Sequence, residues 1–252
     1  MASGLALDRA AWSSPWRMRS VRDKGVLSVG LLIIAVAFPP FPGSPAVGMV
    51  SVFLLLGPIG VGCSRLARIL WVPLVSILIG VATVAVSPGW DGGPRLQVTA
   101  PGLTTAAGLA VRAVAATLAM LTLACSTPMV DLLSALRRAG VPDPLVEIAA
   151  LVYRFTFGLL ESVGAIHAAQ EARLGYANRS AAMRSASLGV AALFVRSWDH
   201  ARRLEAGLAG RGYVDSLRTL EPDRVRSAAF LASSLGLLTG LAVTSVAVAV
   251  LG

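Results

Sequence analysis

Two arginines in this sequence occur in a similar local pattern, in which an arginine is followed by a glycine and a tyrosine. Arg173 lies in Ala172-Arg173-Leu174-Gly175-Tyr176 and Arg211 in Gly210-Arg211-Gly212-Tyr213, each at the end of a long predicted helix. An arginine guanidinium donates paired, charge-assisted hydrogen bonds to a carboxylate. The alternative is that each arginine only complements the dipole of a helix C-terminus, with glycine as the usual cap. If these arginines do contact another protein, the chemistry open to them is the binding of acidic groups on that protein.

Residues for catalysis, metal binding and nucleotide binding form no cluster in the sequence. His167 and His200 stand alone, without an HxxxH or Cys/His pattern, and no Ser/His/Asp arrangement suggests a nucleophile. Cys63 and Cys125 are far apart and predict no disulfide framework. No glycine-rich phosphate loop is present, so hydrolysis of ATP by this chain is not expected. We predict no catalytic, cofactor-binding or metal-binding residues, and no binding of ATP, cobalt or nickel by the chain alone.

The composition is that of a membrane protein. The 252 residues are 56% hydrophobic and 14% charged, whereas soluble domains carry roughly a quarter charged residues. The mean hydropathy is +0.74. The net charge of +9 would suggest a nucleic-acid partner in a soluble protein. Here the basic residues flank apolar runs, so membrane orientation explains them better and no nucleic acid is expected.

The apolar runs predict five transmembrane helices, at residues 25–41, 46–62, 69–87, 103–126 and 227–250. The first is expected to be an uncleaved span. Five Lys and Arg precede it and thirteen lie in 127–226, while the segments assigned outside carry one or none. The positive-inside rule therefore predicts a cytoplasmic N-terminus and an external C-terminus.

Charged residues are almost absent from the predicted spans. All thirteen Asp and Glu lie outside them, so coupling to protons or sodium through a membrane carboxylate is not expected. Arg112 is the single exception. It either has a polar partner, lines a cavity or snorkels to the interface, or the span begins later than residue 103. Gly236 and Gly240 form a GxxxG pattern that predicts, weakly, a helix contact with a membrane partner.

The segment 127–226 is predicted to be a charged helical insertion between the fourth and fifth spans. Three helices are expected, at 128–139, 143–173 and 180–210, with Gly140 ending the first. The second carries a stripe beginning with Leu145, Ile148 and Val152. The stripe of the third comprises Val190, Leu193, Phe194, Ser197, Trp198, Ala201, Leu204 and Leu208. Neither long helix can bury its apolar stripe alone.

The residues from Ser126 to Pro142, followed by Leu151-Val152-Tyr153-Arg154-Phe155, resemble a known family. They are similar to the transmembrane T component of energy-coupling-factor (ECF) transporters, in the cobalt/nickel type called CbiQ. The resemblance covers most of 100–215, and the earlier spans match mainly by hydropathy. It implies a scaffold whose cytoplasmic coupling helices end in Ala-Arg-Gly motifs that dock on a pair of ABC ATPases, and whose membrane part holds a substrate-binding S component.

The resemblance implies an ATPase-coupling role for Ala172, Arg173, Gly175, Arg211 and Gly212. Leu174 occupies the place of the first motif's glycine, with Gly175 one place later, and Gly210 replaces the second motif's alanine. The membrane partner contact is expected at Gly236 and Gly240.

The sequence thus predicts an all-α integral membrane protein with five transmembrane helices and a cytoplasmic module of long amphipathic coupling helices. The predicted parts are an N-terminal tail (1–24), a four-span region (25–126), the coupling module (127–226) and a final span (227–252). The expected function is a non-catalytic coupling subunit of an ECF-type importer for cobalt or nickel in the inner membrane. The expected partners are an ABC ATPase dimer, an S component and the lipid bilayer. The alternatives are a vitamin-type T component and a self-contained secondary transporter.

Overall fold

A computed structural model of the chain describes residues 8, 10–89, 95–98, 100–212 and 227–251. The helices are α1 (Val21–Ala37), α2 (Pro40–Leu56), α3 (Cys63–Ala85), α4 (Ala100–Ser126), α5 (Met129–Arg138), α6 (Asp143–Ala172), α7 (Arg179–Ala209) and α8 (Ala228–Leu251). A 3-10 turn, Pro15–Met18, precedes α1. Strands β1 (Val86–Gly89) and β2 (Arg95–Val98) pair antiparallel between α3 and α4. The predicted all-α membrane class is confirmed, with this short hairpin as an addition.

The chain forms two compact units. The first comprises Met1–Leu132 and Pro222–Gly252, and the second comprises Leu133–Glu221. The second unit is therefore an insertion in the first. The predicted helices at 128–139, 143–173 and 180–210 correspond to α5, α6 and α7. Gly140 has a φ of 94°, so it ends α5 in the left-handed conformation expected of a glycine cap. Residues 213–226 of the predicted coupling module lie outside the described residues.

Helices able to cross a membrane by length and composition are found in both units. Within the described residues they are Cys63–Ala85, Pro101–Ser126, Asp143–Ala172 and Ala228–Val248. Three of these match predicted spans. The fourth is α6, which the sequence analysis assigned to the cytoplasm because of its charges. Helices α1 and α2 have 17 residues each, about 26 Å of helix, which is slightly short of a hydrocarbon layer of about 30 Å.

The second predicted span is displaced from the helix that forms there. The prediction was 46–62, whereas α2 begins at Pro40 and ends at Leu56 because Gly57-Pro58 follows. Ile59 and Val61 are almost fully buried in the turn beyond α2 rather than in a helix. Their backbone N–H groups bond to carbonyls of the last turn of α2, at 3.0 and 2.9 Å. Hydropathy alone cannot separate such a buried turn from a span.

Polar contacts fix how α1 packs against α4. The Nζ of Lys24 donates to the carbonyl of Ser126 at 2.9 Å, the hydroxyls of Ser28 and Thr122 bond at 2.7 Å, and the Nη2 of Arg112 donates to the carbonyl of Phe38 at 2.8 Å. Each step forward along α1 is matched by an equal step back along α4. The two helices are therefore antiparallel with a constant register. Arg112 has a polar partner, as the first of its alternatives required.

An apolar core surrounds this helix pair. Leu31 of α1, Val47 and Leu55 of α2 and Ala119 of α4 are fully buried in it. Helix α8 packs on the core through half-buried residues that include Leu237, Leu238 and Leu241. By contrast, α3 buries only Leu66 and Ile69, and most of its large apolar side chains are exposed. Such an exposed apolar helix is typical of a lipid-facing surface.

A close approach between α1 and α8 makes Gly30 sensitive to substitution. A Cβ at Gly30 would lie within 2.9 Å of Leu238 Cδ2 and closer still to Cδ1, whereas a Cβ at Gly25 would meet nothing within 4 Å. We expect Gly30→Val to destabilise the membrane unit by about 1 kcal/mol, at the low end of overpacking costs, because the flexible, half-buried side chain of Leu238 must move aside. Gly25→Val, on the same helix, should have little effect. Thermal unfolding in detergent measures both, and equal midpoints for the two variants would contradict this packing.

Candidate coupling site

Arg173 lies at the tip of the hairpin formed by α6 and α7. Helix α6 ends at Ala172, and Arg173 is its C-cap residue. The N–H of Leu174 bonds to the carbonyl of Glu171 at 2.9 Å, and the N–H of Gly175 bonds to that of Gln170 at 2.9 Å. These two bonds together are a Schellman motif. Ala172, Arg173 and Leu174 are exposed, so the arginine side chain is accessible from solvent.

Leu174 takes the backbone conformation that usually belongs to glycine. Its φ is 57°, in the left-handed region, and its side chain is 77% exposed. This is the position at which the resemblance places a glycine in the family pattern. A left-handed conformation costs a non-glycine residue roughly 1–2 kcal/mol. Leu174 thus forms, directly after Arg173, a turn of the kind that glycine usually provides.

Gly175 serves a different purpose from the one its place in the motif suggests. A Cβ at Gly175 would lie 2.5 Å from Ser185 Oγ and 2.9 Å from the carbonyl oxygen of Gln170. The hydroxyl of Ser185 also donates to the Gly175 carbonyl at 2.8 Å. Gly175 therefore allows α7 to approach the end of α6 closely, while Leu174 provides the turn.

Arg211 repeats the local geometry of Arg173 at the end of α7. The N–H of Arg211 bonds to the carbonyl of Leu208 at 3.0 Å, and the N–H of Gly212 bonds to that of Ala209 at 3.1 Å. Gly212 has a φ of 70°. In both places an exposed arginine directly precedes a left-handed residue. In local geometry, Arg211 therefore corresponds to Arg173, and Gly212 corresponds to Leu174. Tyr213 lies outside the described residues.

A polar network behind the first tip holds the α6–α7 turn together. The Nε2 of Gln170 donates to the carbonyl of Ser185 at 2.7 Å, and the Tyr176 hydroxyl donates to Oε1 of Gln170 at 2.7 Å. Asn178 caps α7 by accepting the N–H of Ala181 at 2.8 Å. Sequence reasoning missed Gln170 and Ser185, because a single Gln and Ser inside helices carry no pattern.

The two histidines each contact an aromatic ring of another residue. His167 stacks on Tyr176 with ring centroids 4.7 Å apart, and its Nδ1 is 3.9 Å from Oε2 of Glu171. His200 meets the ring of Phe155 edge-on at 4.8 Å. Among the described residues, no three His, Cys, Asp or Glu side chains come together as a metal site would require. Both cysteines are free thiols, Cys63 exposed and Cys125 buried.

Helices α6 and α7 run antiparallel but cover only part of their apolar surface. The step from Phe155 to Gln170 along α6 equals the step back from His200 to Ser185 along α7. Of the predicted α7 stripe, Leu193, Ser197, Leu204 and Leu208 are half-buried. Val190, Phe194 and Trp198 are more than half exposed, and so are Leu145, Ile148 and Val152 of α6. Helix α6 therefore covers one side of the predicted α7 stripe and leaves the other side exposed, in keeping with the expectation that neither long helix buries its stripe alone.

Gly236 and Gly240 lie on the outer face of α8. Both are exposed, and a Cβ at either would meet nothing within 4 Å. The residues that α8 presents to the core lie on its other side, among them Ser234 and Ser245. Among the residues that the structure describes, nothing packs against the two glycines, and their contact with a partner stays a prediction.

The comparison with protein families decides which family this architecture represents. A family model described as "CbiQ: Cobalt transport protein" matches residues 13–220, which include both tips and α1 to α7. This chain belongs to the CbiQ family. It is thus a multi-pass membrane protein of a cobalt transport protein family, as its resemblance implied.

Two curated CbiQ proteins are similar to this chain over nearly their whole length, and a fused relative is similar over part of its length. The cobalt transport protein CbiQ of Rhodobacter capsulatus is 40% identical over 216 residues, covering 85% of this chain and 87% of the relative. That of Salmonella typhimurium is 30% identical over 212 residues, covering 75% and 88%. A putative fused cobalt transport protein CbiMQ of Methanocorpusculum labreanum is 28% identical over 217 residues, covering 82% of this chain and 36% of the relative.

The left-handed conformation of Leu174 predicts an unusual effect of substitution. Leu174→Gly should stabilise the end of α6 by about 1 kcal/mol, because glycine adopts this conformation without the Cβ clash. Leu188→Gly is the control, since Leu188 is also exposed but lies inside α7, where glycine costs about 1 kcal/mol. Amide hydrogen exchange measures both changes, in the last turn of α6 for the first variant and in the turns around residue 188 for the second. Slower exchange is expected in the first variant and faster exchange in the second.

Proposed function

We propose that this chain is the non-catalytic coupling subunit of an ATP-driven cobalt importer. Arg173 and Arg211 would dock on a cytoplasmic ATPase dimer, and the membrane unit would hold a substrate-binding S component. The observation that carries the proposal is the repeated tip geometry. Arg173 and Arg211 are both exposed, and each lies at a helix end directly before a residue in the left-handed conformation. The two guanidinium groups are therefore attached to backbone of similar local geometry. An ATPase dimer offers two equivalent sites for such a pair.

The exposed apolar residues of α6 and α7 support a protein partner for the second unit. Val190, Phe194 and Trp198 follow one another at single-turn intervals, and the rings of the last two stack at 6.4 Å. Large exposed apolar patches mark interaction sites in proteins. The fused relative, of which this chain spans little more than a third, supports a further membrane component in such a transporter.

The charges of α6 and α7 favour a cytoplasmic location for the second unit. Arg154 and Glu161 lie in the middle of α6, and a span there would place both in the hydrocarbon layer. Helix α7 carries five arginines including Arg179, together with Asp199 and Glu205. We therefore propose that α6 does not cross the membrane, and that the N-terminus is cytoplasmic and the C-terminus external.

Cobalt is the proposed substrate, with nickel and a vitamin as the alternatives. The family model and the relatives carry cobalt in their descriptions. Substrate recognition would belong to the S component. A self-contained secondary transporter would need ionisable groups for ion coupling in its spans, and the sequence places Arg112 alone there.

The two tip arginines should couple ATP hydrolysis to uptake. Removing one side of a buried, hydrogen-bonded charge pair costs roughly 2–5 kcal/mol, whereas a helix-dipole contact is worth only about 0.3–1 kcal/mol. We expect Arg173→Ala and Arg211→Ala to insert normally yet to weaken ATPase co-purification or lower cobalt uptake per ATP hydrolysed. The double variant should be worse, and Arg→Lys should restore only part, because lysine lacks the planar fork.

Arg184→Ala is the matched control for this experiment. Arg184 is exposed on α7 but lies inside the helix rather than at its tip. It should assemble and transport like the parent. If both tip variants also behave like the parent, the arginines are only helix caps and the site assignment is wrong.

Cysteine labelling tests the proposed topology. In a Cys63→Ser background, a cysteine added after Gly252 should react with an impermeant thiol reagent in intact cells. A cysteine in place of Asn178 should not react, because the α6–α7 turn would be cytoplasmic. Labelling at 178 would show instead that α6 spans the membrane, which its length permits. Permeabilised cells provide the control, since both sites should then react.

A further inference from the structure

Two adjacent buried charges at the start of α1 contact Ser126 and Ser227, the two residues that flank the predicted coupling module (127–226). The ammonium of Lys24, which is 1% exposed, donates to the carbonyl of Ser126, the last residue of α4. The carboxylate of Asp23, which is 7% exposed, accepts the N–H of Ser227 at 3.4 Å. Ser227 directly precedes α8, and its hydroxyl accepts the N–H of Phe230 at 3.3 Å.

The signs of the two charges match the helix ends that they contact. A helix C-terminus carries partial negative charge and an N-terminus partial positive charge. Lys24 lies at the C-terminal end of α4, and Asp23 lies at the N-terminal end of α8. Burying an ammonium and a carboxylate is unfavourable unless each finds such a partner, so apolar residues would serve simple packing better. The two charges therefore specify which helix ends meet at this point of α1.

Aromatic contacts also hold the residues just before α1 against the start of α8. The rings of Trp16 and Phe230 meet edge-on with centroids 5.1 Å apart, and the guanidinium of Arg19 lies 4.4 Å from the centroid of Phe230. The start of α8 is thus fixed to residues 16–23 by both polar and aromatic groups.

We propose that Asp23 and Lys24 are positioning residues. They hold against α1 the two points, Ser126 and Ser227, at which the chain leaves the membrane unit for the predicted coupling module (127–226) and returns from it. Movement of that module would then enter the membrane unit at this point and be passed along α1. The antiparallel register between α1 and α4 supplies a path, because it continues from Lys24 to Phe38. This inference rests on the proposed coupling function, and it assigns the transmission to residues outside both arginine tips.

Loosening these two contacts should separate ATP hydrolysis from uptake. A residue needed only for folding lowers the amount of assembled transporter, and both activities fall together. A residue that transmits movement lowers cobalt uptake per ATP hydrolysed while the ATPases remain bound and active. The ratio of the two rates therefore distinguishes the roles.

The experiment uses the assembled transporter, purified through a tag on this chain and reconstituted in liposomes, with radioactive Co²⁺ as the substrate. Asp23→Leu and Lys24→Met remove the hydrogen bond and the charge, and uptake per ATP should fall about tenfold. Asp23→Asn and Lys24→Gln keep an acceptor and a donor but not the charge, and the ratio should fall about threefold. Arg22→Gln is the control: it removes an adjacent exposed charge and should leave the ratio unchanged.

Each outcome decides the proposal. A parental ratio in Asp23→Leu and Lys24→Met would overturn it. If these two variants fail to assemble, the milder pair decides, and a parental ratio in both Asp23→Asn and Lys24→Gln would overturn it equally. Failure of the proposed function looks different, because the parent complex would then lack co-purifying ATPases or ATP-driven Co²⁺ uptake.

Discussion

The antiparallel contact between α1 and α4 is the constraint on which the membrane unit depends. In a medium without water, each polar group that these helices bury must find its partner inside the protein. The hydroxyls of Ser28 and Thr122 satisfy each other, and the charged groups of Lys24 and Arg112 bond to carbonyls at helix ends. A slip of one helix along the other would break all of these bonds at once. The register therefore fixes where α4 ends, and so where the coupling segment begins.

In the second unit, the long helices leave much of their apolar surface exposed. Small or polar residues such as Ser185, Gly189 and Ser197 line the side of α7 nearest α6. Large side chains flank this line and remain exposed. The order of the tip instead comes from hydrogen bonds made by Gln170, Tyr176 and Ser185. The backbone under Arg173 is thus held by hydrogen bonds, while much of the apolar surface beside it is exposed.

The differences between expectation and structure have specific causes. The second span was placed six residues too late because Ile59 and Val61 are as apolar as a span, although Gly57-Pro58 had already ended the helix. The period of the α7 stripe predicts an apolar face but does not reveal which part of that face α6 covers and which part stays exposed. Helix α6 shows the opposite case, since its length and composition permit a span and only its charges argue against one.

The sequence by itself determined the membrane class, the order and approximate bounds of the helices, the family, and the identity of the two tip arginines. These follow from local properties: the length of apolar runs, the spacing of side chains along one helix, and motifs of a few residues. Only the tertiary structure decided that Leu174 rather than Gly175 takes the left-handed turn, and that Arg112 bonds to the end of α1. It alone brought Asp23 and Lys24 to two helix ends that lie about a hundred and two hundred residues away in the chain. Contacts between residues so distant depend on how helices pack, which no local pattern encodes.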